Sequence, residues 1–201
     1  MMTTKDRILA AATKEFAAHG YGGGRIERIV KAAGVTLRMV YHYFGDKDGL
    51  YLAVMESVYR EVRERERLLH LDDRAPEDAM RALVDFTFDH FLRHPEFVAL
   101  LTSENMRNAQ TIRKSKVVPE LAVPIMEVLD KLLKRGVREG TFRKGVDATQ
   151  LFVTLHAVCY LHISNKHTLS AMLRRDMSDK AWLAARRKHV KDVILRYLLK
   201  E

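Results

Sequence analysis

The chain has 201 residues, with 35 Lys and Arg against 26 Asp and Glu, so its formal net charge is +9. That length allows one helical domain with a substantial core and a small appended domain. Helix-favouring residues are frequent, Pro and Gly are few, and no stretch alternates like a strand, so the composition predicts an all-α fold. The positive charge is compatible with a polyanionic partner, although much of the excess lies in residues 111–201.

Hydropathy argues against a membrane-spanning protein, and cysteine usage argues against a protein held together by intramolecular disulfides. No run approaches the ~20 apolar residues that cross a bilayer, and the N-terminal residues do not resemble a signal peptide, so no membrane partner is expected. The single cysteine, Cys159, lies in an apolar run and excludes an intramolecular disulfide. A reducing compartment, the cytoplasm, is therefore the expected location.

Three short helices are predicted near the N-terminus. The first contains Ile8, Leu9, Ala12 and Phe16 at helical spacing. In the second, apolar residues from Ile26 to Ala33 fall at positions i, i+3, i+4 and i+7, and Gly34 can end the helix in a left-handed conformation. A helix, a tight turn with glycine and a second helix make a helix-turn-helix unit.

The third predicted helix begins after Thr36, which occupies an N-cap position, and turns Val40 and Phe44 inward. In a helix-turn-helix, the N-terminal residues of this helix meet base edges in the major groove. Arg38 can donate hydrogen bonds to guanine, and Leu37 can pack against a thymine methyl group. Tyr41, Tyr43 and Lys47 are residue types that commonly contact phosphates. A Tyr-His-Tyr-Phe run is more often a packed core edge, but its place after the turn favours DNA contact.

The remainder reads as further helices with short breaks. A fourth runs from Lys47 to about Leu69, and its charged residues 63–67 are expected to be solvated. Other helices are expected over 76–93, from 95 to about 110, after the basic link 113–116 and toward 140 with a break or kink near Pro119 and Pro124, over 147–163 and from about 180 to 199. The total is about nine helices.

Residues 4–51 resemble the N-terminal DNA-binding domain of the TetR family of bacterial transcriptional regulators. The family's pattern is matched at Ile8, Ala11, Phe16, Gly20, Tyr21, Ile29, Ala33, Gly34, Val35, Tyr41, Phe44, Lys47 and Leu50. The resemblance implies a homodimer whose two recognition helices enter successive major grooves of a palindromic operator in double-stranded DNA. It places the DNA contacts at Arg25, Thr36, Leu37, Arg38, Tyr41, His42, Tyr43 and Lys47.

Two positions depart from the family's pattern. Gly22-Gly23-Gly24-Arg25 stands where relatives commonly open the second helix with Thr or Ser, so the usual hydroxyl cap and its phosphate contact are missing. Arg25 can replace that contact as a cation. The three glycines also lose much conformational entropy on ordering, so the loop is a candidate to become ordered only when DNA binds. Arg38 is the second departure, because many relatives carry a small residue there.

The C-terminal region resembles the ligand-sensing halves of TetR relatives that govern catabolic operons. The expected domains are 1–46 for DNA binding and 47–201 for ligand binding and dimerisation. The resemblance implies a small-molecule cavity between central helices, with candidate lining residues Phe86, His90, Phe97, Leu101, Asn105, His156 and Tyr160. It implies a four-helix dimer bundle from about 148–168 and 181–199, with candidate interface residues Leu151, Leu155, Val158, His162, Val190, Ile194 and Tyr197.

The sequence gives little support to a metal site, a cofactor site or a catalytic site. His90 and His94 share a helix face, but no third ligand accompanies them, so no metal site is expected. Cys159 beside His156 is expected to be inert packing, and neither a cofactor motif nor an acid–base cluster is present. The sequence predicts a DNA-binding transcriptional repressor that a small-molecule effector releases, and not an enzyme. A nonspecific DNA-coating protein and an all-helical enzyme are the alternatives.

Overall fold

Ten α-helices form most of the chain in the computed structural model, which describes residues 2–200. They are α1 (Thr4–Gly23), α2 (Ile26–Ala33), α3 (Leu37–Phe44), α4 (Lys47–Arg67), α5 (Pro76–Arg93), α6 (Pro95–Met106), α7 (Val117–Arg138), α8 (Ala148–Ser164), α9 (Lys166–Leu173) and α10 (Lys180–Leu198). Two short 3-10 turns lie at Leu71–Asp73 and Ile112–Lys114. Across this described range no strand forms beyond an isolated bridge between Phe142 and Leu199, so the all-α prediction is confirmed.

Helix boundaries follow local signals in the sequence. Pro76 and Pro95 begin α5 and α6, and Asp147 caps α8 by accepting a hydrogen bond from the Gln150 N–H at 2.8 Å. Pro124 is accommodated inside α7. The short helix α9 is the one that the sequence did not predict, because none of its residues is buried and it therefore lacks the apolar stripe that marked the other short helices.

The chain packs as two compact units. The first contains the residues up to Glu61 together with His94–Leu121. Its core is built on α1, which packs against both α2 and α6 and buries Ile8, Ala12 and Phe16. The expected functional boundary between residues 46 and 47 stays a prediction, because these units divide the chain by packing and not by role.

The second unit contains Val62–Arg93 and the residues from Ala122 onward. Helix α5 packs against α8 and α10 there, and its Asp85 receives the Lys191 ammonium of α10 at 3.1 Å. Cys159 on α8 is fully buried, and burial raises the pKa of its thiol to about 12. Within residues 2–200, none of the helices combines the length and apolar character needed to cross a membrane.

Candidate nucleic-acid interface

The turn between α2 and α3 has the geometry of a helix-turn-helix. Gly34 adopts φ 62° and ψ 44°, the left-handed conformation that glycine tolerates best. Its N–H and that of Val35 reach back to the carbonyls of Lys31 and Val30 at 3.3 and 3.2 Å, so the end of α2 is satisfied internally. The predicted end of the second helix at Ala33 is confirmed.

Helix α3 is anchored by its inner face and leaves its predicted DNA-contact residues outside. Val40 is fully buried, and Phe44 is half-buried. Leu37, Tyr41 and Tyr43 are 42, 46 and 44% exposed, and the other exposed candidates are Arg25, Thr36, Arg38 and His42. The Tyr-His-Tyr run is therefore a surface of the first unit and not a core edge. Thr36 stands at the N-cap, but its hydroxyl makes no capping hydrogen bond.

A carboxylate from α1 binds the residue that precedes α2, although no side chain caps the helix itself. Glu15 Oε1 accepts hydrogen bonds from the Arg25 backbone N–H at 2.9 Å and from Arg28 Nε at 2.8 Å. The hydrogen bond from Arg28 holds the pKa of Glu15 below its ordinary value, so Glu15 is an anion at neutral pH. The Arg28 guanidinium also donates to the Gly23 carbonyl at 2.8 Å, which fixes the glycine run to α2.

The glycine run has a packing role in this structure. Gly22 and Gly23 continue α1 past a break at Gly20, where φ is 63°. A Cβ at Gly24 would lie 2.5 Å from the Phe16 ring, so glycine is required for this close approach. This contact accounts for Gly24, and the expected ordering of the loop on DNA stays a prediction.

Lys47 begins α4 and lies half-buried beside an aromatic side chain. Its ammonium is 4.6 Å from the centroid of the Tyr21 ring, while the Arg107 guanidinium of α6 lies 3.6 Å from the same centroid. Asp48 accepts a hydrogen bond from the Tyr21 hydroxyl and forms an ion pair with Lys114 at 3.5 Å. No sequence pattern predicts this cluster, because its members are far apart in the chain.

The predicted effector-site residues are divided between the two units. In the second unit, Phe91 stacks edge to face with Tyr160 at 5.3 Å and lies 6.0 Å from His156. Burial lowers the pKa of His156 to about 4, so its ring is neutral at pH 7. Phe86 and His90 also belong to this unit, whereas Phe97, Leu101 and Asn105 belong to the first.

A cavity of about 370 Å³ lies elsewhere in the second unit. It is bounded by the end of α4, the 3-10 turn after it and α7, and is lined by Arg63, Glu66, Arg67, His70, Leu71, Asp72, Asp73, Pro124, Ile125 and Val128. Arg63 and Glu66 are 9 and 6% exposed and form an ion pair, which corrects the prediction of a solvated run at these two positions, whereas the other three residues of 63–67 are exposed. Burial raises the pKa of Glu66. The sequence did not predict this buried side of α4, because every residue from 63 to 67 is charged and no apolar position marks it.

Most of the predicted dimer residues lie in the interior of the second unit. Leu151, Leu155, His162, Val190 and Ile194 are at most 4% exposed, Val158 is half-buried, and Tyr197 is 42% exposed. The exposed apolar residues on α8 and α10 are instead Val153, Leu161 and Val193, at 58, 53 and 39%. Periodicity identified the apolar arcs of these helices but could not tell which part of a wide arc faces the core.

Comparison with known proteins assigns both parts of the chain. Residues 8–54 match the family described as bacterial regulatory proteins, tetR family, and residues 76–194 match the tetracyclin repressor-like C-terminal domain. The HTH-type transcriptional repressor NicS of Pseudomonas putida is 39% identical over 195 residues, which cover 97% of this chain and 92% of that protein. The repressor SCO4008 of Streptomyces coelicolor is 35% identical over 105 residues, about half of each chain.

Solved structures agree with this assignment. The putative transcriptional regulator SCO4942 from Streptomyces coelicolor superposes with a TM-score of 0.74 at 26% identity, covering 98% of each chain. FadR from Bacillus subtilis, in complex with stearoyl-CoA, shares the fold at 18% identity, with a TM-score of 0.67 over 95% of this chain and 97% of that one. The chain therefore belongs to the TetR family of bacterial regulatory proteins and is a DNA-binding transcriptional regulator with a helix-turn-helix.

Proposed function

We propose that this regulator is a homodimeric repressor, which holds a palindromic operator until a small-molecule effector releases it. The observation that carries the proposal is the exposed face of α3, where the candidate DNA-contact side chains lie in solvent while Val40 is buried. Relatives named as repressors support the sign of regulation. Its site of action would be the cytoplasm, where the DNA lies, and the proposal requires no catalytic group.

The side chains of the interface would divide by task. Arg38 would pair with guanine, and Leu37 would lie against a thymine methyl group. Thr36 and His42 would complete the base-edge contacts at this end of α3. Phosphate contacts, which set register without reading sequence, would come from Arg25, Tyr41, Tyr43 and Lys47.

A dimer would form through the exposed faces of α8 and α10. Val153, Leu161, Val193 and Tyr197 leave large apolar side chains at the surface of these helices. Burying them against a second copy would remove apolar area from water, which is the main favourable term in association. The buried candidates, including Leu155 and Ile194, would support this surface from beneath.

The effector would bind in the second unit. The cavity of about 370 Å³ lies in the range of small-molecule sites, and it combines apolar walls with the buried Arg63–Glu66 pair. Among the earlier candidates, Phe86, His90, His156 and Tyr160 belong to this unit and remain proposed contacts. The complex of FadR with stearoyl-CoA supports the idea that this fold accepts a small molecule.

Release would follow from differential binding. A ligand that prefers a conformation with a different spacing of the two DNA-binding heads lowers operator affinity by its preference between the two states. The operator-bound heads would be about 34–36 Å apart, one turn of DNA. The remaining candidates, Phe97, Leu101 and Asn105, lie in the same unit as α3 and stay proposed ligand contacts.

Binding-site selection from random duplex DNA tests the proposal. Recovery of a palindrome, and its loss when one candidate metabolite is added, is the expected result. A nonspecific DNA-coating protein would instead be competed equally well by unrelated DNA at fixed salt, and that outcome would refute sequence-specific repression.

A further inference from the structure

We propose that residues 111–116, called the basic segment below, form a second contact with the DNA backbone, on the flank of the operator. The segment reads TIRKSK and follows α6 in the first unit. The proposal rests on the proposed operator binding and adds a surface that no helix-turn-helix residue supplies. Its partner is the phosphate backbone of duplex DNA beyond the base pairs that α3 reads.

Two carboxylates hold the backbone of the basic segment in place. Glu104 is 1% exposed, and its Oε1 accepts hydrogen bonds from the backbone N–H groups of Thr111 and of Ile112, the latter at 3.0 Å. At the other end, the Ser115 hydroxyl donates to Glu56 Oε1 at 2.6 Å. The same hydroxyl accepts from the Val118 N–H at 3.1 Å, so it caps α7. A buried carboxylate used in this way indicates a specified loop conformation.

The side chains of this fixed segment present positive charge to solvent. Arg113, Lys114 and Lys116 are all exposed. Lys114 forms an ion pair with Asp48, whereas Arg113 and Lys116 have no carboxylate within ion-pair distance in the part of the chain described, 2–200. Two uncompensated cations thus stand on a backbone that has already lost its conformational freedom. An anion that binds them needs no further ordering of the loop, which favours affinity.

The ion pair of Lys114 locates this charge next to the proposed DNA interface. Asp48 lies in the first turn of α4, directly after Lys47, a proposed phosphate contact. Arg107, which precedes the segment, shares the Tyr21 ring with Lys47. All of these residues belong to the first unit, as α3 does. The cations of the segment therefore lie in the same unit as Lys47, and Lys114 contacts the residue that follows it.

The salt dependence of binding measures such contacts directly. Each phosphate that a protein cation neutralises on duplex DNA adds about 0.9 to the magnitude of the slope of log K against log salt concentration. Two cations in each subunit of a dimer would contribute up to about 3.6 to that slope. Cations that are merely solvated would contribute nothing to it.

The experiment compares the full-length protein with its Arg113→Gln/Lys116→Gln variant on two duplexes. One duplex ends at the selected operator, and the other carries about ten further base pairs on each side, one helical turn. For the wild type, the slope is expected to be steeper on the longer duplex by up to about 3.6. The variant is expected to lose this difference and to match the wild type on the short duplex.

A matched control removes two charges from the other unit. Lys131→Gln/Arg138→Gln changes two exposed cations on α7 and is expected to keep the wild-type slopes. Circular dichroism and thermal unfolding establish that each variant is folded. A wild-type slope for the 113/116 variant on the long duplex, or an equal loss on both duplexes, would overturn the inference. Absence of operator preference in the wild type would instead overturn the proposed function.

Discussion

Arg38 offers a sharp test of base reading, because its side chain is exposed on α3 while its neighbour Val40 is buried. Arg38→Ala is expected to cost about 1–3 kcal/mol of operator binding and to relax preference at one base pair in each half-site. Lys47→Ala is expected to weaken binding to all sequences alike, since a phosphate contact carries no base information. Titration against a set of single-base operator variants separates the two effects.

The exposed Lys131 of α7 provides the control for lost charge. Lys131→Ala removes one cation and is expected to leave both affinity and base preference unchanged. If Arg38→Ala retains the wild-type operator footprint and affinity, the base-reading role assigned to Arg38 is wrong.

His162 predicts a fall in stability at mildly acidic pH. Its ring is 4% exposed and stacks 5.0 Å from Phe88, and burial lowers its pKa from 6.5 to about 4. The unfolded state therefore takes up a proton first as pH falls below about 6.5, and stability is lost down to about pH 4. Between pH 7.5 and pH 5, this group accounts for about 2 kcal/mol of lost unfolding free energy.

Urea unfolding of His162→Phe at the two pH values checks this prediction at fixed protein concentration. Phe keeps an aromatic ring beside Phe88 but cannot take up a proton, so the variant is expected to lose about 2 kcal/mol less on acidification. His189→Gln, at an exposed position on α10, is the control. An equal pH dependence in wild type and His162→Phe would show that His162 is not the group responsible.

At the scale of single residues, the sequence predicted the exposure of side chains that belong to a local motif. Arg38 and Tyr41 follow a recognisable turn, and the structure leaves both exposed. Arg63 and Glu66 were wrongly predicted to be solvated, because residues distant in the chain, such as Ile125 of α7 and Phe152 of α8, surround this side of the charged run. Such burial depends on the tertiary neighbours, and a sequence window does not contain them.

Gly24 tests how tightly the end of α1 is joined to α2. Gly24→Ala would place a Cβ 2.5 Å from the Phe16 ring, so the ring or the backbone must move. The expected loss of unfolding free energy is about 1–3 kcal/mol, the usual cost of overpacking. Chemical denaturation of the full-length protein measures it, and operator affinity should fall with it because Arg25 follows directly.

Gly22 is the matched control for this substitution. It lies in the same run, it is exposed, and a Cβ there would meet nothing within 4 Å. Gly22→Ala is expected to be neutral or slightly stabilising, because it reduces the freedom of the unfolded chain. Equal losses at both positions would contradict the packing role assigned to Gly24.

Among the elements, most helices were predictable because their ends carry their own signals. Gly34, Pro76, Pro95 and Asp147 each mark a boundary that the structure reproduces. The contact that fixes the start of α2 was not predictable, since Glu15 lies ten residues before Arg25 and binds it only when α1 packs against α2. A local motif search covers the residues next to the helix and does not find a carboxylate on another one.

The association of two copies is the prediction that concerns the whole molecule. Leu161 is 53% exposed on α8, and Leu161→Arg would place a charge in the proposed interface. Sedimentation equilibrium is expected to show a monomer, because an unpaired charge at an apolar interface costs several kcal/mol. Operator affinity should fall about tenfold or more, since the second head no longer binds as part of the same molecule.

Val123 on α7 gives the corresponding control, because it is equally exposed and lies outside α8 and α10. Val123→Arg is expected to remain dimeric and to retain operator affinity. A dimeric Leu161→Arg, or a monomeric Val123→Arg, would move the proposed interface to another surface.

The buried thiol of Cys159 makes the chain suitable for site-directed spin labelling. With a pKa of about 12, less than about one thiol in a thousand is ionised at pH 8, and the group is shielded from reagents as well. A nitroxide could therefore be attached at an introduced cysteine, such as Ala32→Cys on the surface of α2, without removing the native residue. Pulsed electron resonance on the labelled dimer would then report the distance between its two heads with and without each candidate metabolite.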